Sequence, residues 1–349
     1  MHQFVRDLLT EWRRLNLPFS RETIVVAVSG GADSVSLLLA VNELQKARKL
    51  DLRIVAAHFN HHLRGAESDS DERMVKKLCT SLRIELSVGH GELQNEGNLE
   101  QNARHARYAF LTKTAETVEA HAILTGHTVN DQAETFLMNL VRGSGPDGLG
   151  GMKAVRPLDV RRGEEEEGKK GEEEMDETSP LLPLSLSPLL LVRPMLTWAK
   201  RKATEGFCRD MGVEPCYDTM NEDTAFKRVR IRKILLPLLE DMNPNIIETL
   251  ANTASLMQGL SENSHTPVEE VPSELDLKVL RPLSQSALYA YLRVWLDGHR
   301  GTKRQLSLTH IKAIERLIHS EKSGRVAELP GGMRVIRSRG KLSVERSQA

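Results

Sequence analysis

Ile24-Val25-Val26-Ala27-Val28-Ser29-Gly30-Gly31-Ala32-Asp33-Ser34 decides the fold. Five β-prone apolar residues run into a double glycine, and apolar positions at Val35, Leu38 and Leu39 follow at helical spacing. The pattern is strand, glycine turn, helix. Two glycines permit positive φ and close approach of backbone N–H groups to a ligand. Asp33 or Ser34 can cap the helix, whose free N–H groups and partial positive charge face the same point. Such a turn suits phosphate. The common phosphate loop would carry a lysine after its last glycine, and none stands here. A literal G-x-G-x-x-G at Gly143–Gly148 follows a helical pattern and contains Pro146, so it is a chance match.

Downstream, strands expected at Leu52–His58, Ile84–Val88, Ala122–Thr125 and Leu189–Val192 alternate with helices expected at Ser68–Leu82, Asn98–Glu119, Asp131–Arg142 and Thr197–Met211. Alternation of this kind predicts an α/β domain with a parallel, Rossmann-like sheet that binds ligands at the strands' carboxyl ends. The polar clusters fall there. His58-Phe59-Asn60-His61-His62-Leu63-Arg64 follows the second strand and reads as a nucleotide or substrate wall, because no cysteine or His-x₃-His helix accompanies it as zinc would require. Gly126, His127, Asp131 and Glu134 follow the fourth, the two carboxylates on one side of a helix start. Helix capping by Asn130 or Asp131, with Glu134 as capping-box partner, explains that pair equally well on local grounds. Glu100, Arg104 and Arg107 share one helical face, ordinarily a surface ion pair. The glycine-rich run from Arg142 to Met152 is a candidate lid.

The chain has 349 residues, enough for two or three domains with a sizeable core. Its first residues are charged, with Phe4, Leu8, Trp12 and Leu15 on one helical face, and Pro180–Val192 is too short and proline-broken for a membrane span. Cys79, Cys208 and Cys216 form no C-x-x-C pair, which indicates a reducing cytosol and no zinc ribbon. The 48 basic and 48 acidic residues cancel, yet Arg161–Glu177 alone holds nine acidic and four basic ones. The rest is basic, with clusters at Lys227–Lys233 and Arg334–Arg346 that suit a phosphate backbone. Residues 159–188 read as a disordered surface insertion. Helices are expected at Arg230–Met242, Asn245–Leu260, Leu283–Leu296 and Leu308–His319, then a hairpin around Ser338-Arg339-Gly340. The resulting division is a nucleotide-binding domain over 1–217, a helical domain over 218–325 and a terminal β-hairpin over 326–349.

Ser-Gly-Gly-x-Asp-Ser after a strand resembles the loop of the N-type ATP pyrophosphatases, or PP-loop proteins. Within them, Ser29–Ser34, His58–Arg64, Asn98–Tyr108, Gly126–Met152, and Arg193-Pro194-Met195-Leu196 with Asp218–Arg232 stand in the order of the tRNA(Ile)-lysidine synthetase family. The resemblance implies ATP, Mg²⁺, free L-lysine and an isoleucine tRNA with a CAU anticodon. The wobble cytidine is adenylated with release of pyrophosphate, and the ε-amine of lysine then joins C2 as AMP leaves. It implies that Ser29, Gly30, Gly31, Ala32, Asp33, Ser34, His58, Asn60, Gly126 and His127 bind ATP, with Asp33 on magnesium. Asp33, Arg104, Asp131 and Glu134 are the catalytic candidates. Asp131, Glu134, Arg142, Arg193, Arg228, Arg230 and Arg232 are candidates for lysine or tRNA contact, and a dimer is left open. Asn130, Met220 and Val229 depart from the family pattern, and a complete second C-terminal domain is expected to be absent or reduced to the hairpin. The rivals are a tRNA cytidine thiolase, which needs a cysteine pair or iron–sulfur ligands, a GMP or NAD synthetase relative, and a non-catalytic ATP- or RNA-binding module.

Overall fold

The computed structural model describes residues 1–62, 65–91, 99–158, 188–216, 226–263, 272–283, 285–299, 308–320, 322–330 and 332–346. Leu63, Arg64, the insertion and Asp218–Asp223 lie outside them, as does the side chain of Glu100. Two units divide the described chain: residues 1–135, 152–158 and 188–251, and residues 136–151 and 252–346.

The first unit is built on β1 (Ser20–Ala27), which pairs in parallel with β2 (Asp51–Asn60) on one side and β4 (Ala120–Leu124) on the other. β3 (Glu85–His90), β6 (Leu190–Val192) and β5 (Val155–Pro157) complete the order β3-β2-β1-β4-β6-β5. The expected parallel sheet is present with one correction: β5 runs antiparallel to β6 at the edge. Its three residues, one a proline, carry too little pattern to read as a strand, and proline is tolerated at an edge.

Both faces of the sheet are covered, as alternation along β1 requires. Ile24 and Val26 enter a core with α1 (Gln3–Arg14), α2 (Ala32–Lys46), α3 (Ala66–Leu82) and α7 (Arg201–Asp210). Val25 points the other way, to Tyr108, Leu111 and Ala115 of α4 (Leu99–Thr117). α2 is buried nearly all round, from Val35 to Leu44, because it lies between the sheet and other helices. The chain continues through α5 (Val129–Val141) and the short α6 (Pro146–Leu149). The basic segment follows as α8 (Lys227–Arg230), a π-helical turn (Ile231–Leu235) and α9 (Leu236–Met242), then α10 (Ile246–Asn263).

The second unit holds more β-structure than a hairpin. β7 (Glu274–Asp276), β8 (Arg325–Leu329), β9 (Met333–Ser338) and β10 (Lys341–Arg346) form an antiparallel sheet ordered β7-β10-β9-β8. The hairpin itself is as expected, with Arg339 and Gly340 both at positive φ. Leu275, Leu342 and Val335 join α11 (Leu277–Leu280), α12 (Gln285–His299) and α13 (Leu308–His319) in one core. A boundary at 325 would therefore cut through a sheet, because β7 pairs with β10. Among the described residues no helix is long and apolar enough to cross a membrane.

Candidate active site

β1 ends at Ala27 and the backbone turns through Ser29–Gly31 into α2. Gly30 has φ +99°, the conformation that calls for glycine. Gly31 has φ −71° and is the N-cap, with no side-chain capping bond. The expected caps do other work. The Ser34 hydroxyl donates to the Gly31 carbonyl at 3.0 Å and accepts from the Ser29 N–H at 3.0 Å, which fixes the shape of the loop. Gly126, at the end of β4, lets that strand meet the loop: a Cβ there would lie 2.8 Å from the carbonyl of Asp33.

A cleft of about 370 Å³ opens at the carboxyl ends of β1, β2 and β4. Of the predicted residues, Ser29, Asp33, Ser34, His58, Asn60, Gly126, His127 and Asp131 line it. Asp71, Arg107 and Tyr108 line it too, and none of them stood among the candidate site residues. The His58 ring nitrogen Nδ1 lies 2.8 Å from the Val28 carbonyl. A carbonyl only accepts, so Nδ1 carries the proton and Nε2 is an acceptor. Burial holds the His58 pKa down despite the Val28 bond, and pushes His61 to about 4, helped by Arg107. His127 is held well below its usual range by burial and then by Arg193, Arg107, Arg228 and Arg104. These histidines present neutral rings. Asn60 is buried and gives its amide to Glu72 at 2.9 Å, so it shapes the turn behind the wall.

Asp33 turns toward α7. Thr204 donates to its Oδ1 at 2.5 Å, and the Arg201 Nε lies 3.6 Å from its Oδ2. Burial and neighbouring Asp131 raise its pKa to about 6, against the pull of Thr204 and Arg201. Asp131 closes the start of α5: its Oδ2 accepts from the Thr128 N–H at 2.9 Å and hydroxyl at 2.8 Å. Asp131 thus reaches back to the residue before the helix, as the acidic half of a capping box does, while Glu134 faces the arginines. Its other oxygen, Oδ1, accepts from Arg228 at 3.1 Å and Arg201 at 3.3 Å.

Glu134 has no exposed side-chain surface and accepts four bonds from three arginines. Arg232 gives two, at 2.7 and 3.0 Å, Arg228 one at 2.8 Å and Arg201 one at 3.2 Å. Burial alone would raise the pKa of both carboxylates, but the arginines outweigh it and hold both below the ordinary value. Three carboxylates thus face three guanidinium groups, and Arg228 and Arg232 point inward.

The remaining arginines divide. Arg230 is exposed with Lys227 and Lys233 on the same short stretch. Arg104 and Arg107 lie over the Tyr108 ring, 5.3 and 5.1 Å from its centre. Arg193 is buried and ties the end of β6 to the preceding strand's approach, donating to the carbonyls of Ala154 and Lys153. Arg142 is exposed and belongs to the second unit, as does most of the glycine-rich loop. That loop is clamped: Asn139 and Gln258 donate to the Gly148 and Gly150 carbonyls, each at 2.6 Å.

Sequence analysis missed Arg201 and Thr204. One signal was available, since Lys200, Arg201 and Lys202 put three cations at the start of a helix, where the dipole disfavours them. Carboxylates from α2 and α5 compensate that conflict at Arg201, and Glu248 of α10 does so at Lys200.

Magnesium finds a carboxylate donor in Asp33. Among the described residues no group of three or more carboxylate, histidine or cysteine side chains is arranged for a metal. Asp33 nevertheless lines the cleft with its pKa raised beside a second carboxylate, so a divalent cation there would relieve repulsion. One carboxylate with phosphate oxygens and water completes a usual magnesium sphere.

The fold and loop define a PP-loop protein, and the family model described as the PP-loop domain matches residues 3–239. A second, the TilS substrate binding domain, matches residues 275–343. The tRNA(Ile)-lysidine synthase of Salinispora tropica is 31% identical over 329 residues, which cover 92% of this chain and 90% of that one. That of Geobacter sulfurreducens is 33% identical and that of Dehalococcoides mccartyi 31%, and they match 94% and 91% of this chain. The chain belongs to the tRNA(Ile)-lysidine synthase family. It spans 65% of the Dehalococcoides protein and 66% of the Geobacter protein. The U34-tRNA thiolase NcsA from Methanococcus maripaludis shares the fold, with a TM-score of 0.55 at 14% identity over 73% of this chain and 79% of that one.

Proposed function

We propose that this chain is a carbon–nitrogen ligase that joins free L-lysine to C2 of the wobble cytidine of tRNA(Ile) with a CAU anticodon, at the expense of ATP. The observation that carries the reading is the meeting, at the strand ends, of the Ser29–Ser34 loop with Asp33, Asp131 and Glu134. The cytidine O2 attacks the α-phosphate and pyrophosphate leaves. Loop N–H groups at the start of α2 stabilise the charge that develops there. Arg104 and Arg107, stacked over Tyr108, add positive potential beside the cleft. Magnesium, held by Asp33 and phosphate oxygens, would neutralise the polyphosphate.

In the second step the ε-amine of lysine attacks C2 and AMP departs. That amine, with a free pKa of about 10.4, must first lose a proton. Asp131 and Glu134, kept ionised, orient the cationic substrate, and the proton passes to water in the cleft. A thiolase reading lacks support, because Cys79, Cys208 and Cys216 form no C-x-x-C pair, and burial pushes the Cys79 and Cys208 thiols up to about 11 and about 12. The deciding experiment measures pyrophosphate release with CAU-anticodon tRNA, with and without lysine, for the wild type and Asp33→Ala. Release that depends on tRNA, followed by lysine incorporation into the nucleoside, is expected. Turnover without tRNA, or an unchanged nucleoside, would sink the assignment.

A further inference from the structure

The His58 ring carries an acceptor that the protein leaves open. Its Nδ1 donates to the Val28 carbonyl at 2.8 Å, so the other ring nitrogen, Nε2, has a lone pair and no hydrogen. Burial keeps the ring uncharged although Asp71 and Glu72 stand near it. His58 is 3% exposed, and Nε2 has no hydrogen-bond partner among the described residues. A buried acceptor without a donor carries a desolvation cost, which a ligand removes by supplying the donor.

Strand alternation decides which wall of the cleft this acceptor belongs to. In β2, Ala56 packs into the core shared with α3, and Ala57 into the core shared with α4. His58, two positions after Ala56, therefore sits on the α3 side. There Ser68 and Asp71 of α3 also line the cleft, while Tyr108 and Leu111 line it from α4. The Asp71 carboxylate and the His58 acceptor thus share one wall. That wall adjoins the phosphate loop, because Val28, which holds His58, precedes Ser29, and a Cβ on Gly30 would lie 3.6 Å from the Cβ of Asp71.

A nucleotide whose phosphates sit on the loop presents its ribose next, since C5′ carries them. The ribose brings two hydroxyl donors to that place, whereas the donor on adenine, its 6-amino group, stands at the far side of the base. We propose that His58 Nε2 accepts a hydrogen bond from a ribose hydroxyl of ATP, beside Asp71, and so selects ATP over its deoxy counterparts. This rests on the reading of Ser29–Ser34 as the ATP loop. Val28 is the positioning residue, because its carbonyl fixes the tautomer that leaves Nε2 free to accept. An acidic side chain meets the ribose hydroxyl in the same way in dinucleotide folds. A site built to bond a hydroxyl rejects the analogue that lacks it, because the buried acceptor is then left unpaired.

The test is isothermal titration calorimetry of the full chain with magnesium and without tRNA or lysine. It compares ATP, 2′-deoxy-ATP, 3′-deoxy-ATP and purine riboside triphosphate, which lacks the 6-amino group. At least one deoxy nucleotide is expected to bind about ten- to a hundredfold more weakly than ATP. His58→Asn keeps an N–H within reach of the Val28 carbonyl and removes the Nε2 acceptor. It is expected to weaken ATP to the level of that deoxy nucleotide and to leave the deoxy nucleotide unchanged. Should the variant fold poorly, nitrogen-15 spectra of histidine-labelled wild type replace it, and the Nε2 resonance of His58 is expected to move with ATP and not with the deoxy nucleotide. Deoxy nucleotides that both bind as tightly as ATP, or a loss in His58→Asn that is equal for every nucleotide, overturn the proposal and leave the ligase reading standing. A selective loss of purine riboside triphosphate that His58→Asn abolishes also overturns it, since Nε2 then reads the base. A wild type that binds none of the four overturns the ATP reading as well.

Discussion

Arg232 grips Glu134 with two parallel hydrogen bonds, Nε to Oε1 at 2.7 Å and Nη2 to Oε2 at 3.0 Å, on a carboxylate with no exposed surface. The fork is geometrically specific and stronger than a single neutral bond. Three partly buried guanidinium groups converge on Glu134, so its neutralisation removes the buried negative charge that all three face. Glu134→Gln is expected to lower the unfolding free energy by about 3–5 kcal/mol. Urea unfolding followed by circular dichroism measures it, and a loss under about 1 kcal/mol, the size of a surface pair, would show the cluster to be incidental.

Asp33 gives the protein an opposite pH signature from the paired carboxylates. Its folded pKa of about 6 stands above the ordinary 3.8. The folded state therefore keeps a proton that the unfolded chain releases, and this contribution to stability, full below about pH 4, is lost as pH rises through about 6. Asp33→Asn is expected to match the wild type near pH 4 and to exceed its stability at pH 7 by on the order of 1–3 kcal/mol, while pyrophosphate release collapses. Paired denaturation curves at the two pH values check it. A variant equally or less stable at pH 7 would mean that Asp33 is not strained by its surroundings.

Gly126→Ala places a methyl group 2.8 Å from backbone atoms of Asp33 and 2.9 Å from the Cα of Ser34. Neither neighbour is a flexible side-chain end, so the loop must move. Overpacking of this kind is expected to destabilise by about 1–3 kcal/mol and to weaken ATP binding at least about tenfold through the displaced N–H groups. Fluorescent nucleotide titration reads the second effect. Full nucleotide affinity in a folded variant would dissociate Gly126 from the loop's geometry.

Arg230 differs from its neighbours by facing solvent. Arg230→Ala is expected to leave ATP binding and stability unchanged and to weaken tRNA binding uniformly, with the slope of log affinity against log salt falling by about 0.7–0.9. Filter binding across a salt series would show it. An unchanged slope would remove Arg230 from the RNA-facing surface.

What could be read from the chain was whatever lay in local pattern. Ile24–Ser34 announced strand, turn and helix because β-propensity, glycine and helical spacing sit side by side. Asp131 and Glu134 stood out at a strand end, and both belong to the charge cluster. Their saturation did not show, because Arg201 lies 67 positions from Glu134, and Arg228 and Arg232 lie 94 and 98 positions away. No periodicity reports a contact at that separation. The basic run at Lys227–Lys233 looked uniformly RNA-facing, whereas the fold sorts its arginines into inward and outward sets. β5 and β7, three residues each, escaped because strands that short are defined by their partners.

The antiparallel pairing of β5 and β6 carries one more consequence. The Leu158 N–H donates to the Leu189 carbonyl at 2.7 Å, so the chain leaves the sheet and returns to it at the same doorway. Ends held that close make the length between them nearly free to vary, since doubling such a loop adds only about 0.6 kcal/mol of closure entropy. The doorway is therefore a port. Evolution or an engineer can splice a tag, a reporter or a whole folded module there while the strands on either side keep their register.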